Sequence, residues 1–87
     1  MKILAEPIDA IVMFKGKDVP RPYKFRYMDQ GDMTREIKID KIIQTEETKI
    51  AGIKTLLYRC QSEIGGMTIL YELKYLINEC RWELYKM

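Results

Sequence analysis

A chain of 87 residues that is 47% hydrophobic and 32% charged has the size and composition of one globular domain with a single core. Its net charge of +2 is too small to imply a polyanionic partner, and it has no histidine, the commonest general base, metal ligand and pH switch. None of its apolar runs is long enough to span a membrane.

The N-terminal stretch "MKILAEPIDAIV" breaks a short apolar patch with Glu6, Pro7 and Asp9. It makes a poor signal peptide, so a cytoplasmic protein is expected. "PIDAIVMF" then sets Ile8, Ala10, Val12 and Phe14 against Asp9, Ile11 and Met13, the period of a strand. After the turn-like "KGKDVPRP", "PYKFRYM" sets Tyr23, Phe25 and Tyr27 against Lys24, Arg26 and Met28. A second turn, "DQGDM", leads to "REIKIDKII", which pairs Ile37 with Ile39 and then Ile42 with Ile43. The phase slip at Asp40-Lys41 resembles a bulge within one strand. The polar "QTEETKIAG" has room for a turn of helix capped by Thr45.

The C-terminal stretch admits two structures. Leu70, Leu73, Ile77, Cys80, Leu84 and Met87 recur at helical gaps, yet Tyr71, Leu73 and Tyr75 alternate with Glu72 and Lys74. Turn placement decides between them. With Gly65-Gly66 as a two-residue turn, Cys60 lies opposite Tyr71, Tyr58 opposite Leu73 and Leu56 opposite Tyr75. A second turn at Asn78-Glu79, or a four-residue loop of the same register, sets Tyr75 opposite Trp82 and Leu73 opposite Leu84. Both registers place the aromatic and aliphatic residues on one face. On the other, Arg59 meets Glu72 and Lys74 meets Glu83. A helix would instead stack Glu79 on Glu83. Residues 53–87 are therefore expected to be a three-stranded meander.

The candidate sites are few. Lys15, Lys17, Arg21, Lys24 and Arg26 face only Asp18 over residues 15–26, a local net charge of +4, with Tyr23, Phe25 and Tyr27 interleaved. Cations beside stacking rings are how small barrels hold single-stranded nucleic acid, and these five are the candidate contacts. Strand alternation gives the plainer account, rings in the core and cations in water. Likewise Tyr58, Tyr71, Tyr75 and Trp82 fall on the face that must be buried, and core packing explains them better than a ligand groove does. Cys60 and Cys80 lie six residues, about 20 Å, apart along the intervening strand, which rules out a disulfide and leaves two buried thiols. Zinc would need about four ligands, usually in close pairs, and the pattern has none. The only adjacent carboxylates, Glu46-Glu47, sit in the most polar stretch, where nothing raises a pKa. Ser62 has no base to activate it, and Gly65-Gly66 precedes a strand without the Lys-Ser/Thr of a phosphate loop. No enzyme, cofactor or metal is expected.

"YRCQSEIGGMTILYELKYLINECRWELYKM", preceded by "PYKFRY" and "IKIDKII", resembles a family of small uncharacterised bacterial proteins common in clostridia. The resemblance is carried by Tyr71, Glu72, Leu73, Trp82, Leu84 and Tyr85. More distantly the chain is similar to a domain of unknown function associated with translesion DNA polymerases, though it is less basic and less arginine-rich. The resemblance supplies no catalytic residues; it implies an accessory role beside DNA replication or repair.

The expected fold is all-β: a small antiparallel barrel or sandwich of five to six strands, closed or nearly so, of SH3-like or OB-like size, in one domain over residues 1–87. The competing architecture is α+β, with residues 69–87 as a helix on a four-stranded sheet. The expected function is a non-catalytic interaction module that binds another protein through exposed apolar residues such as Ile11, Met13 and Met28. The alternative is a nucleic-acid-binding barrel. Two-fold association into a homodimer through an unpaired edge strand is open to such a sheet.

Overall fold

The computed structural model describes residues 1–87, the side chain of Ile50 excepted. Seven strands follow one another: β1 (Ile3–Met13), β2 (Arg21–Met28), β3 (Thr34–Lys38), β4 (Lys41–Ile50), β5 (Ile53–Ile64), β6 (Met67–Leu76) and β7 (Arg81–Lys86). They form one antiparallel sheet in the order β3-β2-β1-β7-β6-β5-β4. Among the described residues the only helical element is a 3-10 turn at Ile77–Glu79, and no helix is long and apolar enough to cross a membrane.

The meander forms in the expected register. Gly65 and Gly66, with φ of 58° and 78°, make the tight turn. Cys60 faces Tyr71, Tyr58 faces Leu73, and Leu56 faces Tyr75. Between β6 and β7 the loop has four residues, Ile77–Cys80, and closes on the pair Leu76 and Arg81. Cys80 takes the left-handed position, φ 53°. Tyr75 faces Trp82 and Leu73 faces Leu84, so residues 69–87 are two strands and not a helix. One expectation fails there: Cys80, carried into the loop, is exposed, while Cys60 alone is buried, and both thiols are free.

The count of five to six strands is corrected to seven. Residues 35–43 are not one bulged strand, because the chain breaks at Ile39-Asp40 and crosses from one edge of the sheet to the other. Ile39 N–H donates to the Tyr23 carbonyl at 2.8 Å, and Asp40 N–H donates to the Gln61 carbonyl at 3.1 Å. The Asp40 carboxylate accepts the Glu63 N–H at 2.8 Å. This crossover ties β2 to β5 without completing a ladder. The sheet curls into a half-barrel whose edge strands, β3 and β4, do not pair with each other, so the expected closure is also corrected.

The helical turn capped by Thr45 is absent. Gln44–Ile50 is strand, with Thr45 opposite Tyr58 and Glu47 opposite Leu56. Its weak local preference yields to pairing with β5, and Ala51-Gly52 supplies the turn, with φ of 51° and 81°.

The concave face holds the core: Phe25, Ile37, Leu56, Tyr58, Cys60, Tyr71, Leu73, Trp82 and Leu84. Phe25 meets Tyr71 across the half-barrel at 5.5 Å between ring centroids, and Trp82 packs on Tyr75 at 4.8 Å and on Tyr58 at 5.2 Å. Two polar groups join the core. The buried Ser62 hydroxyl donates to the Lys38 carbonyl at 2.6 Å, leaving its oxygen to accept from the Tyr71 hydroxyl at 2.7 Å. On the convex face, Glu72 is buried beneath Arg59, whose guanidinium lies 3.1 Å away. No buried side-chain polar atom lacks a partner among the described residues.

Candidate binding cleft

The half-barrel is open between β2 and β4, and a cleft lies there. The wall on the β2 side begins at the turn closed by Asp18 N–H donating to the Lys15 carbonyl at 3.0 Å. "VPRPY" follows. Ile11 faces Lys24 but Val12 faces Pro22, so Tyr23 is an extra residue with no opposite on β1. The bulge reverses the local phase. Pro22 is buried where alternation would have put Tyr23, and Tyr23 turns out, 41% exposed. Its hydroxyl donates to the Met13 sulfur at 3.8 Å, and the Arg21 guanidinium sits 5.7 Å above its ring.

The opposite wall is β4. Ile42 faces Cys60 and Gln44 faces Arg59, which leaves Ile43 as a second bulge, 45% exposed. Tyr58 forms the floor and donates its hydroxyl to the Pro20 carbonyl, fastening the β1–β2 connection over the core. Burial pushes the Tyr58 phenol up to about 12, so it stays a neutral donor. The cleft has a volume of about 540 Å³. Its lining includes the apolar Met13, Val19, Pro20, Tyr23, Ile42 and Ile43 and the charged Lys15, Asp18 and Arg21.

The two walls differ as strand edges. Pro20 and Pro22 remove two N–H donors from the β2 side, which cannot then accept an added strand there. β4 has no proline and pairs only with β5.

The five candidate cations do not gather into one patch. Lys24 is 3.3 Å from Glu36 and Arg26 is 3.1 Å from Asp9, both on the convex face. Lys15 and Arg21 stand at the cleft, and Lys17 lies in the preceding turn, exposed. Of the interleaved rings, Phe25 is in the core, Tyr27 is partly buried against it, and Tyr23 alone is exposed. Ile11, Met13 and Met28 are 56%, 49% and 57% exposed. The Asp9–Arg26 pair lies between Ile11 and Met28, whereas Met13 continues into the cleft. No group of three or more His, Cys, Asp or Glu side chains converges among the described residues.

Val19, Pro20, Pro22 and Ile43 were not singled out by pattern. "Pro-Arg-Pro" held a usable signal, since two prolines flanking one residue rarely sit in an uninterrupted ladder. The bulge at Ile43 had none, because "KII" reads as an ordinary apolar run. A curled antiparallel half-barrel with an apolar cleft at its seam is the class that fold and site define. Comparison with family models, with curated proteins and with solved structures finds no match to this chain.

Proposed function

We propose that the domain is a non-catalytic interaction module and that the cleft between β2 and β4 receives an extended segment of another protein. The observation that carries this reading is the lining itself. Four partly exposed apolar side chains, Met13, Val19, Tyr23 and Ile43, converge beside a strand edge that still offers backbone donors and acceptors. A peptide lying along β4 would gain main-chain hydrogen bonds from that edge, and its side chains would fill the apolar wall. The nucleic-acid reading draws less support: Lys24 and Arg26 already have carboxylate partners, and the ring between them faces the core.

The test has two arms. Proteins retained by the immobilised domain are identified, and one is titrated against the wild type and against Ile43→Lys. At least a tenfold weaker isotherm is expected for the variant, corresponding to about 1.4 kcal/mol. An unchanged isotherm would dismiss the cleft as the binding surface. In the second arm, fluorescence anisotropy with single-stranded oligonucleotides at low and high salt is expected to show no salt-dependent binding. Tight binding that weakens steeply with salt would replace the protein-binding reading with the nucleic-acid one.

A further inference from the structure

Beyond the cleft, the β4–β5 hairpin projects past the rest of the sheet. β5 pairs with β6 only from Thr55 onward, so β4 beyond Thr48 has no third strand beside its hairpin partner. Two lysines face each other there: Lys49 lies directly opposite Lys54. Like charges across a ladder are destabilising. Glu47 is 3.5 Å from Lys54 alone. Lys49 has no ion pair among the described residues.

We infer that this free edge pairs with the same edge of a second copy, antiparallel about a two-fold axis through Thr48. In such a pair the core faces lie on the same side only if the axis passes through a residue. That leaves few registers. The bulge at Ile43 confines regular pairing to Gln44–Ile50. An axis at Glu46 sets Glu46 against itself, and an axis at Glu47 or Lys49 does the same for those residues. An axis at Thr45 leaves only three regular residues, Gln44–Glu46, before the bulge intervenes.

The axis at Thr48 is self-complementary. Lys49 of each copy meets Glu47 of the other, and this occurs twice by symmetry. Each Glu47 then lies between Lys54 of its own chain and Lys49 of its partner, so the unsatisfied lysine gains the carboxylate that it lacks. Glu47 and Lys49 share one face of the strand with Leu56 and Lys54 opposite them. The occupant of the edge is a second copy because the charge order Glu47-Thr48-Lys49 is its own complement in this register alone. The dimer leaves Ile42–Thr45, and with them the cleft, unoccupied in both copies.

Sedimentation equilibrium of the full chain at low salt, from about 10 µM to about 1 mM, tests the dimer, whose population depends on protomer concentration. The mass is expected to rise from 10.4 kDa towards twice that value. Glu47→Lys or Lys49→Glu alone turns both pairs repulsive and should weaken association at least about tenfold. The double variant Glu47→Lys with Lys49→Glu restores the pairs in reverse and should recover it. Amide resonances of residues 46–50 should shift with concentration in the wild type. The inference is overturned by a wild-type mass that stays at 10.4 kDa, by a folded double variant that stays monomeric, or by concentration-dependent shifts confined to other strands.

Discussion

The meander β5–β6–β7 and the strands β1–β2 with β4 are built on different rules. In the meander, turns set the register and the side chains obey it. Cys60, Tyr71, Leu73 and Leu84 have no exposed surface, the ladder from Ile64–Met67 to Thr55–Leu76 has no irregularity, and the β6–β7 ladder shifts once, at Tyr85 near its far end. In the other region the ladders shift at Tyr23 and at Ile43, and again between Ile3 and Glu6, where Ala5 has φ 48°. Each bulge bends the sheet and turns a side chain outward. The ladders of the meander, regular but for one shift at Tyr85, therefore supply the rigid core, and the bulges at Tyr23 and Ile43 supply the exposed apolar wall of the cleft.

The largest expected effect lies on the regular side. Leu73→Ala removes a fully buried side chain and should cost about 2–5 kcal/mol, measured by urea denaturation. Ile43→Ala, at a bulge and 45% exposed, should change stability by less than about 1 kcal/mol. Equal losses would remove the distinction between the two regions. Alkali probes the same core. Burial pushes the Cys60 thiol up to about 12 and the Tyr71 phenol further up than its ordinary value. The unfolded chain releases the thiol proton near pH 8.5–9, so above that value it binds fewer protons than the folded chain and stability falls as pH rises. For Cys60 the loss runs from about pH 9 to about 12 and is on the order of a few kcal/mol. Cys60→Ala should flatten the decline between pH 9 and 10, with the phenols controlling what remains above. A decline unchanged in Cys60→Ala would mean that the thiol ionises without unfolding.

Between the two regions stands Tyr58, a meander residue whose hydroxyl holds the β1–β2 connection through the Pro20 carbonyl. Tyr58→Phe should cost about 1–2 kcal/mol, since it leaves a carbonyl beside the core without its donor. Hydrogen exchange locates the effect: the Asp18 amide, which donates to the Lys15 carbonyl, should lose protection while the amides of β6 keep theirs. Uniform loss would show that the connection and the core open as one unit, and the comparison would fail in its dynamic form.

How much of this was legible follows the same division. Gly65-Gly66 can adopt positive φ freely, so it announced its turn, and the cross-strand partners followed by counting. The four-residue loop at Ile77–Cys80 kept the count, though it moved Cys80 into solvent. Asp40 could not be read, because a phase slip inside one strand and a crossing between two sheet edges leave the same residue pattern. Nor did the five cations reveal that Asp9 and Glu36, on neighbouring strands, would engage two of them. The apolar wall depended on bulges, and a bulge is settled by which strands become neighbours and by how the sheet curls.

Ala51 is the smallest case and the cleanest. It occupies the first position of a two-residue turn with φ 51°, next to Gly52 at 81°, and a β-carbon makes that conformation unfavourable. Gly65-Gly66 has the same backbone without that cost, which is why one turn could be read and the other could not. Asn at position 51 would create the Asn-Gly pair that such hairpins favour, since Asn tolerates the left-handed region. Ala51→Asn should therefore stabilise the chain by about 0.5–1 kcal/mol in denaturant titration, with no change in slope. The gain should fall on the projecting β4–β5 hairpin and appear as slower exchange at Thr48 and Thr55, the hydrogen-bonded pair next along the ladder from Ile50–Ile53. If stability rises without slower exchange there, the hairpin is not a separately opening unit, and irregular and regular strands share one cooperative transition.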